Sequence, residues 1–351
     1  MPPSEPVRRA PPTSSVFPRK LARRLLVLVL CALLVYAAFA FWADFSAVRQ
    51  SLANFPWVLV PVALALSFAN HAVRFLRWER YRRLLAIELD RRTSWLVYLS
   101  GFAWTVTPGK MGEAFKSWLL RRVAGTPVHK SAPIVLAERF TDLLGFLVLI
   151  AVGGIATQPE STWVFWATLA LCIVLLALVS SERGRRSLLA IARRTPVVSR
   201  LAPKIEGAFA SMRVLFAPSE ILLPTTLAAI GWSLECTAFW LIASALAPGT
   251  VPFLFAVYTF ALSAVAGAVL VLFPGGLGVT EASLGALLRG RYIRAGIPVE
   301  AAAAKAVSAT LLIRLCTLWF AVLIGLLATA MFTRRFGAVE AEPAMPEGEA
   351  A

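Results

Sequence analysis

The sequence is poor in the residues that build redox, zinc or nucleophilic sites. Its 351 residues hold four cysteines and two histidines. Cys31, Cys172, Cys236 and Cys316 each stand alone in an apolar run, with no C-x-x-C pair and no histidine at ligand spacing. That pattern argues against a disulfide scaffold or a zinc site and predicts buried thiols, so no metal and no cofactor is expected. Charge is scarce as well, at 15% of residues against the roughly 25% of a soluble domain. Acidic residues are scarcest, 19 against 35 cations, of which 29 are Arg. What fills the chain is apolar: 59% hydrophobic residues and a mean hydropathy of +0.74, a composition suited to a bilayer.

A net charge of +16 and a pI near 10.8 often mark a nucleic-acid binder. Here each basic cluster abuts an apolar run of membrane length, and no basic soluble module is present. Anionic lipid headgroups are therefore the expected partner, not nucleic acid.

Full spans are expected at 25–43, 57–73, 132–153, 163–180, 221–246 and about 307–331. The first of these, 19 residues long and without an A-x-A-like cleavage site, reads as a span and not as a signal peptide. The connecting loops sort by charge. Residues 74–92 carry seven Arg and residues 181–220 eight cations, whereas 44–56, 154–160 and 248–251 are nearly uncharged. The positive-inside rule then places the N-terminus and both basic loops in the cytoplasm. Within 183–216, Leu188, Leu189 and Ile191 against Arg185, Arg186, Arg193 and Arg194 predict an amphipathic helix lying on anionic lipid.

With that orientation, 93–122 begins and ends on the cytoplasmic side, so its apolar arms dip in and return around Thr107-Pro108-Gly109. Pro108-Gly109-Lys110-Met111-Gly112-Glu113 is matched late in the chain by Pro274-Gly275-Gly276-Leu277-Gly278, with Glu281 following. The repetition predicts a second hairpin, of 252–273 and 277–288, entering from the outer side. A full crossing at 252–273 is the alternative, and it would place the C-terminus outside. The expected fold is thus all-α: a polytopic membrane helix bundle of about six full spans plus two re-entrant helical hairpins, arranged as an inverted repeat. Irregular backbone at membrane depth needs protein or a water-filled cavity around it.

Glu138, Arg139 and Asp142 interrupt the run that starts at residue 132, Arg314 interrupts the last span, and Glu235 lies midway along 221–246. A charge at mid-bilayer costs about 2.5 to 3.5 kcal/mol on insertion scales, so such groups must face protein or water. Either they pair to pin helices together, or Arg139 and Arg314 attract a phosphate while Glu113, Glu138, Asp142 and Glu281 orient them or carry protons. Asn70, His71, Arg74, Arg77 and Trp78 close the second span, and the snorkelling, aromatic-belt reading is preferred there over a site.

Pro108 to Glu113, Glu138-Arg139-x-x-Asp142, Pro274 to Glu281 and Arg314, in that order, resemble the lysylphosphatidylglycerol synthase transmembrane region family of flippase-like membrane proteins. The likeness runs from about residue 21 to 335. It implies a bacterial-type inner-membrane protein that moves lipids between leaflets, such as aminoacylated phospholipids, polyprenyl-linked sugars or hopanoid-type lipids. The family often has Arg where Lys110 stands, which would lose bidentate phosphate geometry. Bifunctional members append an aminoacyl-transferase domain. Only sixteen residues follow Arg335 here, so that activity is not expected.

The resulting organisation is a basic, Pro-rich arm at 1–20, a flippase-like transmembrane domain at 21–335 and an acidic tail at 336–351. The expected function is lipid transport without catalysis, with termini in the cytoplasm. Substrate-contacting candidates are Pro108, Gly109, Lys110, Gly112, Glu113, Glu138, Arg139, Asp142, Pro274, Gly275, Gly276, Gly278, Glu281 and Arg314. The alternatives are an intramembrane lipid-modifying transferase, which lacks any nucleophile beside a base, and a non-transporting scaffold of a lipid-synthesis enzyme.

Overall fold

The computed structural model describes residues 45–105, 114–157, 163, 166–170, 172–174, 202–269 and 277–337. The expected first span at 25–43, most of the span at 163–180, the Leu/Arg-rich part of the amphipathic helix and both chain ends lie outside the described residues. Among the described residues every regular element is helical. In chain order they are α1 (Phe45–Ala53), α2 (Leu59–Leu84), α3 (Arg91–Ser100) with a 3-10 turn at Gly101–Trp104, α4 (Ala114–Ala124), α5 (Val128–Thr157) and α6 (Ala202–Leu215). After these come α7 (Leu222–Leu246), α8 (Phe253–Val269), α9 (Val279–Arg294), α10 (Val299–Arg314), a π-helical turn at Leu315–Trp319 and α11 (Phe320–Phe336).

Among the described residues, three continuous helical runs are long and apolar enough to cross a bilayer: Leu59–Leu84, Pro218–Leu246 and Val299–Phe336. With 26, 29 and 38 residues, they reach about 39, 44 and 57 Å at a rise of 1.5 Å per residue, beyond the roughly 30 Å of hydrocarbon. Their outward faces are apolar. Phe68, Leu76, Ile230, Leu315, Leu323, Leu327 and Met331 are exposed, whereas five carboxylates and several arginines are buried. This inside-out distribution suits a lipid solvent and not water.

Close helix contact is bought with small residues. A Cβ at Gly325 of α11 would lie 2.1 Å from the backbone nitrogen of Ala103, so the 3-10 turn after α3 rests directly on the last helix. A Cβ at Gly153 of α5 would lie 2.6 Å from the Leu254 carbonyl oxygen of α8. Around α7, a core of Cys236, Phe239 and Ile242 packs with Phe255, Tyr258 and Ala261 of α8 and with Ala306, Ala309 and Ile313 of α10.

Two helical hairpins enter this bundle from opposite ends. The first consists of α3 with its 3-10 turn and α4, which pack on each other. It starts beside the end of α11: hydrogen bonding from Thr93, with a smaller contribution from nearby Arg335, holds the Asp90 carboxyl at the start of α3 below its ordinary range. It finishes there too, where Arg122 Nη2 donates to the Phe336 carbonyl oxygen at 2.9 Å. The second hairpin, α8 and α9, starts just after the 247–251 turn and returns to it, with Arg291 Nε donating to the Thr250 carbonyl oxygen at 2.7 Å. Lys305 Nζ donates to the Leu246 carbonyl oxygen at 2.5 Å, which fixes the start of α10 at that same end. α9 thus brings the chain back to the end of the bundle from which α8 starts. The hairpin tips, 106–113 and 270–276, lie outside the described residues.

Candidate functional site

The charged centre is built on α2. Its inward face carries Ser67, Asn70, Arg74, Arg77 and Tyr81, all buried. Their alternating spacing of three and four residues places them in one polar stripe along the helix. Opposite stands Asp142, near the midpoint of the 30-residue α5. Asp142 Oδ2 accepts from Arg74 Nη2 at 3.0 Å and pairs with Arg139 Nη2 at 3.2 Å. Its Oδ1 accepts from Arg77 Nη1 at 2.8 Å and from the indole Nε1 of Trp232 on α7 at 3.1 Å. Trp232 also lies under the Arg74 guanidinium, with 4.6 Å from Cζ to the ring centroid. Three guanidinium groups thus converge on one carboxylate. Arg77 is fully buried, and its Nε and Nη2 have no hydrogen-bond partner among the described residues.

Beside this centre, Lys116 of α4 ion-pairs with Glu138 of α5, both buried. The lysine ammonium also faces the Trp78 ring at 4.9 Å and the Tyr98 ring at 5.6 Å. Gly101 makes room for this side chain, since a Cβ there would stand 2.6 Å from Lys116 Cγ. Across α7, Asn70 Nδ2 lies 2.5 Å from Glu235 Oε1.

The second hairpin carries a matching pair. Arg314, the last residue of α10, places Nε 2.6 Å from Glu281 Oε1 of α9. The other oxygen of Glu281 accepts from the Gly278 backbone N–H at 2.7 Å, and Gly278 has φ of 86°, a conformation that favours glycine. Gly278-x-x-Glu281 is thereby explained: one carboxylate caps the first turn of α9 and ties it to the last helical run. In each half, the returning arm of the hairpin is ion-paired to the helix that follows it. The sign is reversed between Lys116–Glu138 and Glu281–Arg314. Arg314 directly precedes the π-helical turn, a distortion often found at functional positions.

A family model described as the lysylphosphatidylglycerol synthase TM region matches residues 29–325. The chain belongs to that family. A UPF0104 membrane protein of Methanothermobacter thermautotrophicus is 24% identical over 331 residues, covering 87% of this chain and 95% of the relative. A second match of the same name and organism is 26% identical over 177 residues, 48% of each chain. The protein is an integral membrane protein of helical spans.

Within this member of the lysylphosphatidylglycerol synthase transmembrane family, the sequence-derived site residues divide into two groups. Glu138, Arg139 and Asp142 lie together at the α2–α5 centre, and Gly278, Glu281 and Arg314 form the second pair. Pro108, Gly109, Lys110, Gly112, Glu113, Pro274, Gly275 and Gly276 lie outside the described residues. Arg74 and Arg77 correct the expectation of an interfacial anchor: they turn inward onto Asp142, because the stripe that carries them faces α5 and α7. Arg82 does the same one turn later, holding Glu79 through Nε at 3.0 Å and Nη2 at 2.8 Å while Ser94 of α3 donates to that carboxylate. Lys116, Asn70 and Trp232 were not legible as site residues, although the three-and-four spacing of polar groups in 67–81 was a usable signal for α2. His71 is buried against Phe102, with ring centroids 4.5 Å apart.

Proposed function

We propose that this protein moves a lipid with a phosphate-bearing, anionic headgroup between the two leaflets of a cell inner membrane, without catalysing a covalent change. The observation that carries this reading is the convergence of Arg74, Arg77 and Arg139 on the single carboxylate of Asp142. Arginine keeps its charge at any physiological pH and presents a planar fork that matches phosphate oxygens. Held in a bundle whose outer surface is apolar, a cluster of arginines attracts the one part of a phospholipid that cannot cross hydrocarbon unaided. The opposed hairpins, each latched by an ion pair to the following helix, are the elements that would open toward one face at a time, as in transporters built from inverted repeats.

Orientation follows from surface charge. Arg83, Arg91, Arg92, Arg121, Arg122, Arg334 and Arg335 are exposed at the end where α11 finishes. That end is read as cytoplasmic, in contact with anionic headgroups. A lipid-synthesis enzyme on that side is the expected neighbour that supplies or uses the lipid.

Reconstitution in liposomes containing fluorescent phosphatidylglycerol, with dithionite quenching of the outer leaflet, tests the proposal. The wild type is expected to expose inner-leaflet probe to the quencher, and Arg77→Ala and Arg314→Ala to lose most of that exposure. Equal protection of the probe in protein-free and wild-type vesicles would overturn it.

A further inference from the structure

Five carboxylates are buried among the described residues: Glu79, Glu138, Asp142, Glu235 and Glu281. Four of them are neutralised by a cation, Glu79 by Arg82, Glu138 by Lys116, Asp142 by its three arginines and Glu281 by Arg314. Glu235 is the exception. It lies midway along α7 and midway along the partner helix α2, and its hydrogen-bond partner is the neutral amide of Asn70. An ionised carboxylate buried with only a neutral partner carries a large desolvation cost. The neutral acid does not.

The contact also accommodates the acid. Rotating the Asn70 amide end for end presents Oδ1 to Glu235, and Oδ1 is otherwise buried without a partner among the described residues. A protonated Glu235 then donates its O–H to Asn70 Oδ1, and the amide Nδ2 takes the place that Oδ1 leaves beside Gly231. Gly231, one turn before Glu235, leaves the space for this amide, since a Cβ there would stand 2.7 Å from Asn70 Oδ1.

We propose that Glu235, seated against Asn70, is a proton-binding site, and that its proton and the anionic lipid occupy the bundle together. The second half of this inference rests on the transport reading above; the proton site itself does not. Uptake forms an O–H bond on the Glu235 carboxylate with a proton delivered by water, and release returns that proton to water. The groups facing Glu235 make the coupling direct. From α2 come Asn70 and Arg74, from α5 Asp142 and from α10 Arg314, while α8 carries no charged residue. Glu220, just before α7, is engaged with Arg80, and Lys305 of α10 meets the last carbonyl of α7, so both lie at the far ends of that helix. Asn70 and Arg74 are one turn apart on α2, and Trp232 and Glu235 less than one turn apart on α7. When Glu235 is ionised, its charge competes for Arg74 and Arg314. When it is neutral, that competition is removed and the arginines are more available to an incoming phosphate. Each ligand therefore strengthens binding of the other, as linkage requires.

Infrared difference spectroscopy across a pH titration of the full chain in nanodiscs tests the site. The wild type is expected to show the carbonyl stretch of a protonated carboxyl at neutral pH, Glu235→Gln to lose it, and Asn70→Leu to shift it through loss of the acceptor. Absence of the band in the wild type, or an unaltered band in both variants, overturns the proton site; Asn70→Leu alone decides if Glu235→Gln does not fold. In phosphatidylglycerol liposomes, the wild type should change its rate of leaflet exchange when a pH difference is imposed, and Glu235→Gln should show one rate with and without it. A Glu235-dependent band in a protein that moves no lipid leaves the proton site standing and overturns the transport reading. A pH response that persists in Glu235→Gln overturns the coupling.

Discussion

Arg77 Nη1 lies 2.8 Å from Asp142 Oδ1, a contact between buried side chains 65 residues apart in sequence. It joins the midpoint of α5 to the polar stripe of α2 and makes Asp142 the carboxylate that directly pairs with both Arg74 and Arg77. Removing one partner of such a pair leaves the other buried and uncompensated, which costs more than the intact pair ever contributed. Asp142→Asn should therefore destabilise the protein by about 3–5 kcal/mol, read as a lowered midpoint of thermal unfolding in detergent. Arg77→Met combined with Asp142→Asn should recover part of that loss, because the double variant buries less unpaired charge. A double variant less stable than Asp142→Asn alone would contradict the pairing.

Glycine packing gives a prediction with an internal control. At Gly325 an added Cβ meets backbone of the 3-10 turn, at 2.1 Å from Ala103 N and 2.6 Å from Phe102 C. At Gly231 it meets side chains, Asn70 Oδ1 at 2.7 Å and Arg74 Cγ at 3.1 Å. Backbone cannot step aside as a side chain can. Overpacking costs about 1–3 kcal/mol, so Gly325→Ala should fall at or above the top of that range and Gly231→Ala near the bottom. Thermal unfolding of the two variants side by side checks the order. Gly231→Ala should in addition weaken lipid movement, since the side chains it displaces belong to the charged centre.

Gly278→Ala tests the latch of the second hairpin. Its φ of 86° is costly for any residue with a Cβ, and its N–H is held by the same carboxylate that binds Arg314. A left-handed alanine costs about 1–2 kcal/mol. Stability should fall by that amount. Glu281→Gln, which keeps an acceptor for the Gly278 N–H but removes the charge, should leave α9 in place and loosen Arg314. Leaflet exchange is expected to drop in both variants; helical content, measured by circular dichroism, should be unchanged in Glu281→Gln.

Much of this arrangement was legible in the sequence, and the parts that were not have a common cause. Apolar runs and their flanking charges revealed an all-helical membrane bundle. The repeated Pro-Gly motifs pointed to two hairpins, which α3–α4 and α8–α9 form. Glu138, Arg139, Asp142, Glu281 and Arg314 stood out because a charge in an apolar run has no other explanation than a partner. Arg74 and Arg77 did not, because the end of a span followed by arginines looks the same whether the side chains snorkel outward or turn inward. Only the direction of the helix face decides, and that is set by α5 and α7. Lys116 was missed for a related reason: the short, charge-bearing α4 resembles a surface helix until Glu138 is seen facing it.

The opposed hairpins lead to a prediction about which residues share a side of the membrane. Arg122 and Phe336 meet at one end of the bundle, and Arg291 and Thr250 at the other. If α8 crossed the membrane instead of turning back through α9, Arg291 and Thr250 would be separated by the thickness of the bilayer, and their 2.7 Å contact could not form. With the four native cysteines replaced, single cysteines at Arg122 and Arg335 should react with a membrane-impermeant thiol reagent only in inside-out vesicles. Cysteines at Thr250 and Arg291 should react only in intact cells. The expected sides follow from the exposed arginines at the first end, since such residues favour the cytoplasm. A cysteine at Arg291 that labels from the same side as one at Arg335 would show that the second hairpin is not re-entrant, and the inverted arrangement of the two halves would fall with it.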